Sequence, residues 1–316
     1  MPRQLHVVFG TGPVGCWIAR SLIAEGHAVR CANRSGKRPG LLPPEVELTS
    51  ADITDASSAR RIAEGATTIY QALNPEYHQW HEFFPALQAG ALAGARASGA
   101  RYVSVENLYM YDSTGPITED ARVGPRSKKG HLRQRMAEEV MAAHASGQVR
   151  ATALRSSDYY GPGVLGSAMG EMVFGNLLAG KKAQVGGSLN QPHSFAYIED
   201  VGRAAARLGT LDQNIEGRAW LAPHAGAETQ GRMVELACAV MGVPKAVTAI
   251  SPLMMRLAGL FIPAARESVE MMYEFTEPFV VDSRLSEATL GVQPTPVELG
   301  VARTVEWYRT RNQGSG

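Results

Sequence analysis

Cysteine is scarce in this chain. Cys16, Cys31 and Cys238 are the three in 316 residues. They stand too far apart for a metal-ligand spacing and read as small core residues of a protein in a reducing cytoplasm, with no metal centre. Net charge is almost absent: 31 Lys and Arg stand against 30 Asp and Glu, mixed along the chain. That balance argues against a nucleic-acid-binding tail and against a basic face for a membrane surface. No apolar run has the length of a membrane span. The chain enters its first apolar strand within a few residues, which leaves no room for a signal peptide. No repeat or low-complexity segment occurs, and the closing Gln313-Gly314-Ser315-Gly316 reads as a frayed tail. What remains has 45% hydrophobic residues, enough for one large or two modest domains, and its expected partner is a small molecule.

The most informative stretch is residues 5–34. Leu5 to Phe9 is an apolar strand, followed by the turn Gly10-Thr11-Gly12-Pro13-Val14-Gly15. A helix with Ile18, Leu22 and Ile23 on one face comes next, then a second strand from Ala28 to Ala32. This order is the first half of a dinucleotide-binding fold. Gly10 permits a sharp turn, Gly12 has no side chain to block a pyrophosphate, and Gly15 lets the helix pack close to the sheet. The helix entered through Pro13 and Val14 presents free N–H groups and a partial positive charge to phosphates. An ordinary strand-to-helix turn can share these glycines; the strand before and the strand after favour the cofactor.

A carboxylate is missing where an NAD site usually carries one, at the end of the second strand. Asn33, Arg34 and Ser35 stand there, followed by Lys37 and Arg38. Arg34 can make a forked, charge-assisted contact to a 2′-phosphate. The expected cofactor is therefore NADP(H), against the alternative of a solvated basic loop.

Strands and helices alternate, which predicts an α/β fold: a Rossmann-type doubly wound parallel sheet with a smaller, discontinuous substrate-binding domain. A helix is expected near Asp55, a buried strand over Ala66 to Leu73 and a long alanine-rich helix over Tyr77 to Ala97. Arg101 to Val105 reads as the next strand. Lys129 to Ala145 reads as a helix with Leu132, Met136, Val140 and Met141 at core spacing, and Val149 to Leu154 as a strand. The dinucleotide-binding domain is assigned to residues 1–160, with returns near 194–210 and a closing helix at 297–311. The smaller domain takes 161–193 and 211–296. It holds a helix at Gly231 to Val240, a strand at Val243 to Ile250 and the Met-rich segments Ser251 to Ile262 and Ser268 to Glu277. Met254, Met255, Met271 and Met272 read as core packing, or as the lining of an adaptable apolar pocket.

With these pieces in place the chain resembles the short-chain dehydrogenase/reductase superfamily, in its extended and atypical branches of epimerases, dehydratases and ketone reductases. The resemblance spans nearly the whole chain. Ser50-Ala51-Asp52-Ile53-Thr54 is similar to the segment in which an Asp contacts the adenine, so Asp52 and Ile53 are implied cofactor contacts. Gln71-Ala72-Leu73-Asn74 is similar to the strand end bordering the cofactor ribose. Leu154 to Pro162, with Ser156, Ser157 and Asp158, resembles the motif beside the nicotinamide. Phe195 to Val201 resembles the family's returning strand.

The chain departs from that pattern in two places. Phe9 stands at the first glycine of the extended branch's GxxGxxG, which suits the atypical branch. No tyrosine lies between Tyr111 and Tyr159, so the family's catalytic Tyr and Lys, four residues apart on the long helix, are absent. Counting back from Glu139 puts His131 at the Tyr position and Arg135 at the Lys position, with Asn107 at the usual Ser or Thr position. His131 could supply a proton near neutrality; Lys128, Lys129 or Tyr109 could serve instead, and Asn107 could bond a carbonyl oxygen as it gains charge. His131 and Arg135 could equally form a solvated helix face, and Asn107 a turn residue. The expected function is an NADP-dependent oxidoreductase moving hydride to or from a carbonyl or activated double bond of a small, fairly apolar substrate. A catalytically silent NADP(H)-binding redox sensor, or an epimerase or dehydratase, remains open. The resemblance also implies a homodimer paired through the two long helices.

Overall fold

The computed structural model describes residues 4–313; of the tail expected at 313–316, Gln313 is the last residue of a helix and 314–316 lie outside the described residues. In chain order the first unit runs β1 (Leu5–Phe9), α1 (Pro13–Ala24), β2 (Ala28–Asn33), β3 (Glu47–Ser50), α2 (Ala56–Ile62), β4 (Thr68–Gln71), α3 (Trp80–Ser98), β5 (Arg101–Asn107), α4 (Lys128–Ala145) and β6 (Arg150–Ser156). Shorter pieces follow: β7 (Tyr159–Tyr160), α5 (Asn176–Leu178), β8 (Ala183–Gly186), β9 (Pro192–His193), β10 (Ala196–Tyr197), α6 (Ile198–Thr210), β11 (Ala219–Leu221), β12 (Glu228–Thr229), α7 (Gln230–Met241) and β13 (Val247–Ile250). The chain ends through α8 (Pro252–Ala258), α9 (Pro263–Ser268), α10 (Tyr273–Thr276), α11 (Arg284–Leu290) and α12 (Val297–Gln313).

Seven strands form one sheet in the order β3-β2-β1-β4-β5-β6-β11, every neighbouring pair parallel. Alternation along β1 explains why it is covered twice. Val8 packs with Cys16, Ile18 and Leu22 of α1 and Val201 and Leu208 of α6. Val7 and Phe9 point the other way, into a cluster with Ala59 of α2, Ala91 and Ala95 of α3 and Val140 of α4. This is the doubly wound Rossmann-type arrangement that the alternation predicts. The strand order reverses between β1 and β4, so the loops leaving those two strands open a crevice at the carboxyl edge of the sheet.

Local chemistry sets the helix starts. Asp55 caps α2 by accepting from the backbone N–H groups of Ser57 and Ser58, and Ser127 caps α4 by accepting from Gly130 N–H at 2.9 Å. By contrast α1 has Gly12 as its N-cap, Pro13 in its first turn and no side-chain cap.

The smaller unit is a separate apolar cluster. Met169, Val173 and Phe174 pack there with Val185 of β8, Met233 and Val234 of α7, and Val301, Val305 and Tyr308 of α12. Two segments lie elsewhere than the sequence suggested: β11 joins the large sheet beside β6, and α12 packs in the small cluster with α7. The edge strand β3 is also new. Its residues are half-buried or exposed, so it carries little of the apolar signal that marks the inner strands. All three cysteines are buried. The Met-rich segments divide: Met271 and Met272 are buried, whereas Met254 is half exposed. No helix among the described residues is long and apolar enough to cross a membrane.

Candidate active site

A cavity of about 760 Å³ opens over the carboxyl edge of the sheet at the crevice between β1 and β4. One end is floored by Gly10 to Val14, Asn33 to Ser35, Lys37, Arg38 and Ala72 to Asn74. Gly10 has φ +104, and a Cβ there would lie 2.6 Å from the Ala72 carbonyl oxygen. A Cβ on Gly15 would come within 2.0 Å of the Gly10 carbonyl oxygen. Both positions therefore admit only glycine without moving the backbone. Gly12 differs, since nothing lies within 4 Å of where its Cβ would stand, and that open space sits in front of the uncapped N-terminus of α1.

Asn33 organises the loop after β2. Its amide donates to Thr11 Oγ1 at 2.7 Å and to the Lys37 carbonyl at 3.0 Å, while its Oδ1 accepts from Gly36 N–H at 2.6 Å. The loop so held carries Arg34 and Lys37 on the cavity wall, both exposed. No carboxylate among the described residues pairs with either, and none lines this end. Arg38 is used structurally, donating to the Pro43 and Val46 carbonyls.

The other end is built from side chains of distant segments. Asn107, at the end of β5, accepts from Tyr109 N–H at 3.4 Å through Oδ1. The Tyr77 and Tyr109 hydroxyls are hydrogen-bonded to each other above Trp80. Burial pushes both phenols well above their ordinary range. Arg133 of α4 is 2% exposed, lies 4.5 Å over the Phe84 ring and lines the cavity; its Nε has no partner. Lys129, one turn earlier, is buried under Tyr77 and ion-paired to Glu267 at 2.6 Å and Glu270 at 2.9 Å. Three carboxyls line this end: Glu106, Asp158 and Glu274.

The sequence-selected residues separate cleanly. Gly10, Gly12, Pro13, Val14, Asn33, Arg34, Ser35, Ala72, Leu73, Asn74, Asn107, Tyr109, Ser156, Ser157 and Asp158 all line the cavity, and Gly15 backs the turn. Asp52 and Ile53 do not line it: Asp52 accepts from Thr54, and Ile53 is buried with its carbonyl against Gly90 of α3. The structure does not bring His131 or Arg135 to the cavity either; both are exposed. The physical reason is helical phase. At about 100° per residue they lie roughly 140° and 100° round α4 from Met136, while Lys129 and Arg133 lie within about 60° of it. The core spacing of Leu132, Met136 and Val140 already holds that information, and it points to Lys129 and Arg133 as the inward pair four residues apart. The Met-rich segments supply no methionine to the wall; their contribution is Glu274.

With this geometry in view, the family model described as the NAD dependent epimerase/dehydratase family matches residues 7–221. The chain belongs to that family. The match bears out the superfamily resemblance and places the protein among enzymes that work with a nicotinamide cofactor. Solved structures of similar fold include a dTDP-glucose 4,6-dehydratase from Bacillus anthracis in complex with NAD. It is 14% identical, covers 98% of both chains and has a TM-score of 0.80. A UDP-glucuronic acid 4-epimerase from Bacillus cereus in complex with NAD is 14% identical over 97% of this chain and 99% of its own, with a TM-score of 0.76. An epimerase from Methanothermobacter thermautotrophicus is 16% identical over 98% of this chain and 94% of its own, with a TM-score of 0.81. At these identities the likeness is one of fold. No curated protein gives a significant sequence match.

Proposed function

We propose that this member of the epimerase/dehydratase family is an NADP(H)-dependent oxidoreductase acting on a carbonyl or activated double bond of a small, fairly apolar substrate. The observation that carries the cofactor choice is Arg34, with Lys37 beside it, at the end of the cavity that no carboxylate among the described residues lines or pairs. The residues present fit the cofactor: the open space at Gly12 and the uncapped start of α1 suit a pyrophosphate, and Arg34 suits a 2′-phosphate. Asn74, Ser156 and Ser157 would border the nicotinamide half, and Arg133 lines the same cavity. When bound, the cofactor supplies or accepts a hydride.

The chain's own residues would orient the acceptor. Because Asn107 Oδ1 is taken by Tyr109 N–H, its amide NH₂ is free to donate to a substrate oxygen. Of the two bonded phenols, one hydroxyl keeps a proton for a ligand. Trp80, Phe84, Leu108, Val164, Leu165 and Phe279 give the rest of the wall a largely apolar lining, which favours an apolar substrate body. A homodimer through the outer faces of α3 and α4 is part of the same reading, and a monomer mass by light scattering would refute it.

Absorbance of NADPH followed against a panel of aldehydes, ketones and enones tests the reaction class. Net cofactor consumption is the expected result. The family match favours a second reading, epimerisation or dehydration with a transient hydride transfer; product formed with no net cofactor change would select it. Tight binding with no chemistry on any substrate would point instead to a redox sensor.

A further inference from the structure

Two of the three carboxyls on the cavity wall are answered by cations or donors. Glu106 accepts from Arg155 Nε at 2.9 Å, and Asp158 faces His193 Nε2 at 3.1 Å. Glu274, in α10, is 2% exposed, and its carboxyl makes no hydrogen bond or ion pair among the described residues. Its Oε1 is fully buried without a partner, yet the residue forms part of the wall. The backbone beneath it is fixed: the Glu274 carbonyl lies 3.0 Å from His193 Nδ1, and that imidazole is stacked on Phe275 and Phe279.

We propose that Glu274 is the proton donor of this site, in place of the tyrosine that α4 lacks. The proposal rests on the oxidoreductase reading above. An ionised Glu274 would be a desolvated charge with no partner and with Asp158 nearby, a combination that buried sites avoid by keeping a proton. Burial first, and Asp158 second, hold the Glu274 carboxyl well above the usual carboxylate range. The titratable groups around it are Asp158 after β6, His193 on β9, Tyr77 before α3, Tyr109 after β5 and its neighbour Tyr273. None of these supplies a lysine or arginine contact to its carboxyl. The phenols do not compete as acids, because burial raises all three, and Lys129, buried under Tyr77, is already held by Glu267 and Glu270.

In the reducing direction the carbonyl carbon accepts hydride from the reduced cofactor. The electron pair of the C=O π bond moves to oxygen, and that oxygen forms its O–H bond as the O–H of Glu274 breaks. The alcohol leaves, the cofactor is left oxidised, and the Glu274 carboxylate recovers a proton from solvent. Oxidation of an alcohol runs the same steps backwards, with Glu274 as the base.

Infrared spectroscopy of the whole protein with and without Glu274→Gln tests the protonation directly. The wild type should show, at neutral pH, the C=O stretch of a protonated carboxylic acid that the variant lacks. An ionised Glu274 at neutral pH overturns the proposal. Turnover of p-nitrobenzaldehyde with NADPH is the second arm. Glu274→Gln keeps the shape and should bind NADPH as the wild type does, while its turnover falls by roughly 100-fold or more. The falling alkaline limb of the wild-type pH profile should be absent from what remains. Unchanged turnover in a variant that binds NADPH overturns the donor role. Wild-type protein that binds NADPH but consumes it with no carbonyl counts against the oxidoreductase reading itself, and the infrared arm still decides the state of Glu274.

Discussion

At the glycine end of the cavity the groups that would meet a pyrophosphate are backbone, the turn at Gly10, the open approach at Gly12 and the free N–H groups of α1, with Arg34 and Lys37 as side chains beyond them. At the far end they are side chains from five separated stretches, Tyr77, Tyr109, Arg133, Asp158 and Glu274. A backbone device tolerates almost no substitution, because its geometry is the function, and it stays recognisable. A side-chain device can exchange its members while the cavity persists. Here the inward-facing pair four residues apart on α4 is Lys129 and Arg133, and the lysine is ion-paired with Glu267 and Glu270. On the reading proposed above, the cofactor platform is backbone and the proton chemistry belongs to side chains other than a Tyr–Lys pair on α4.

Substitutions can break or sharpen that contrast. The largest effect is expected at the backbone end. Gly15→Val puts a Cβ 2.0 Å from the Gly10 carbonyl oxygen, so the turn must open. Calorimetry should find cofactor binding abolished, and thermal unfolding should show a loss of about 1–3 kcal/mol or more.

At the other end Arg133→Met removes the one cation that, among the described residues, lines the wall outside the Arg34 loop. Its buried guanidinium has weak polar partners, so folding should survive well, while turnover should fall by roughly 100-fold from the loss of one preorganised donor. A variant with full turnover would remove Arg133 from the site.

A smaller, pH-dependent effect belongs to Glu274. Its folded-state pKa is raised above the unfolded value, so its contribution to stability is fully present below the unfolded pKa and is lost as pH rises toward the folded one. The stability of Glu274→Gln relative to wild type should therefore grow with pH above the ordinary carboxylate range, read as a rise in the variant's Tm minus the wild type's. A fall in that difference with rising pH would contradict the raised pKa. The smallest effect is expected at His131→Phe. The side chain is exposed and away from the cavity, so turnover should be unchanged and stability within about 0.5 kcal/mol. Loss of turnover with cofactor still bound would restore His131 as the acid.

The same contrast explains what could be read before the structure. Residues 5–34 gave up the first βαβ unit because a strand, a glycine turn and a helix are local patterns. The loops after β4, β5 and β6 were legible by resemblance, and they line the cavity. Arg133 was legible in principle from the phase of Leu132, Met136 and Val140, but counting from Glu139 chose the opposite face. Glu274 left no such trace. It is one of three acids in the Met-rich run Ser268 to Glu277, and only the chain's return through α10 brings it beside Asp158 and Tyr109. The exposed edge strand β3 and the three-residue β11 were missed because neither carries a long apolar or alternating pattern.

The most direct test of the central claim is a calorimetric titration of the protein with NADPH and with NADH, repeated on Arg34→Glu. The account predicts clear preference for NADPH in the wild type. In the variant, NADPH affinity should fall by roughly 10- to 100-fold, the worth of a charge-assisted contact, with NADH much less affected. Equal affinity for the two cofactors, or an Arg34→Glu protein that still prefers NADPH, would contradict it.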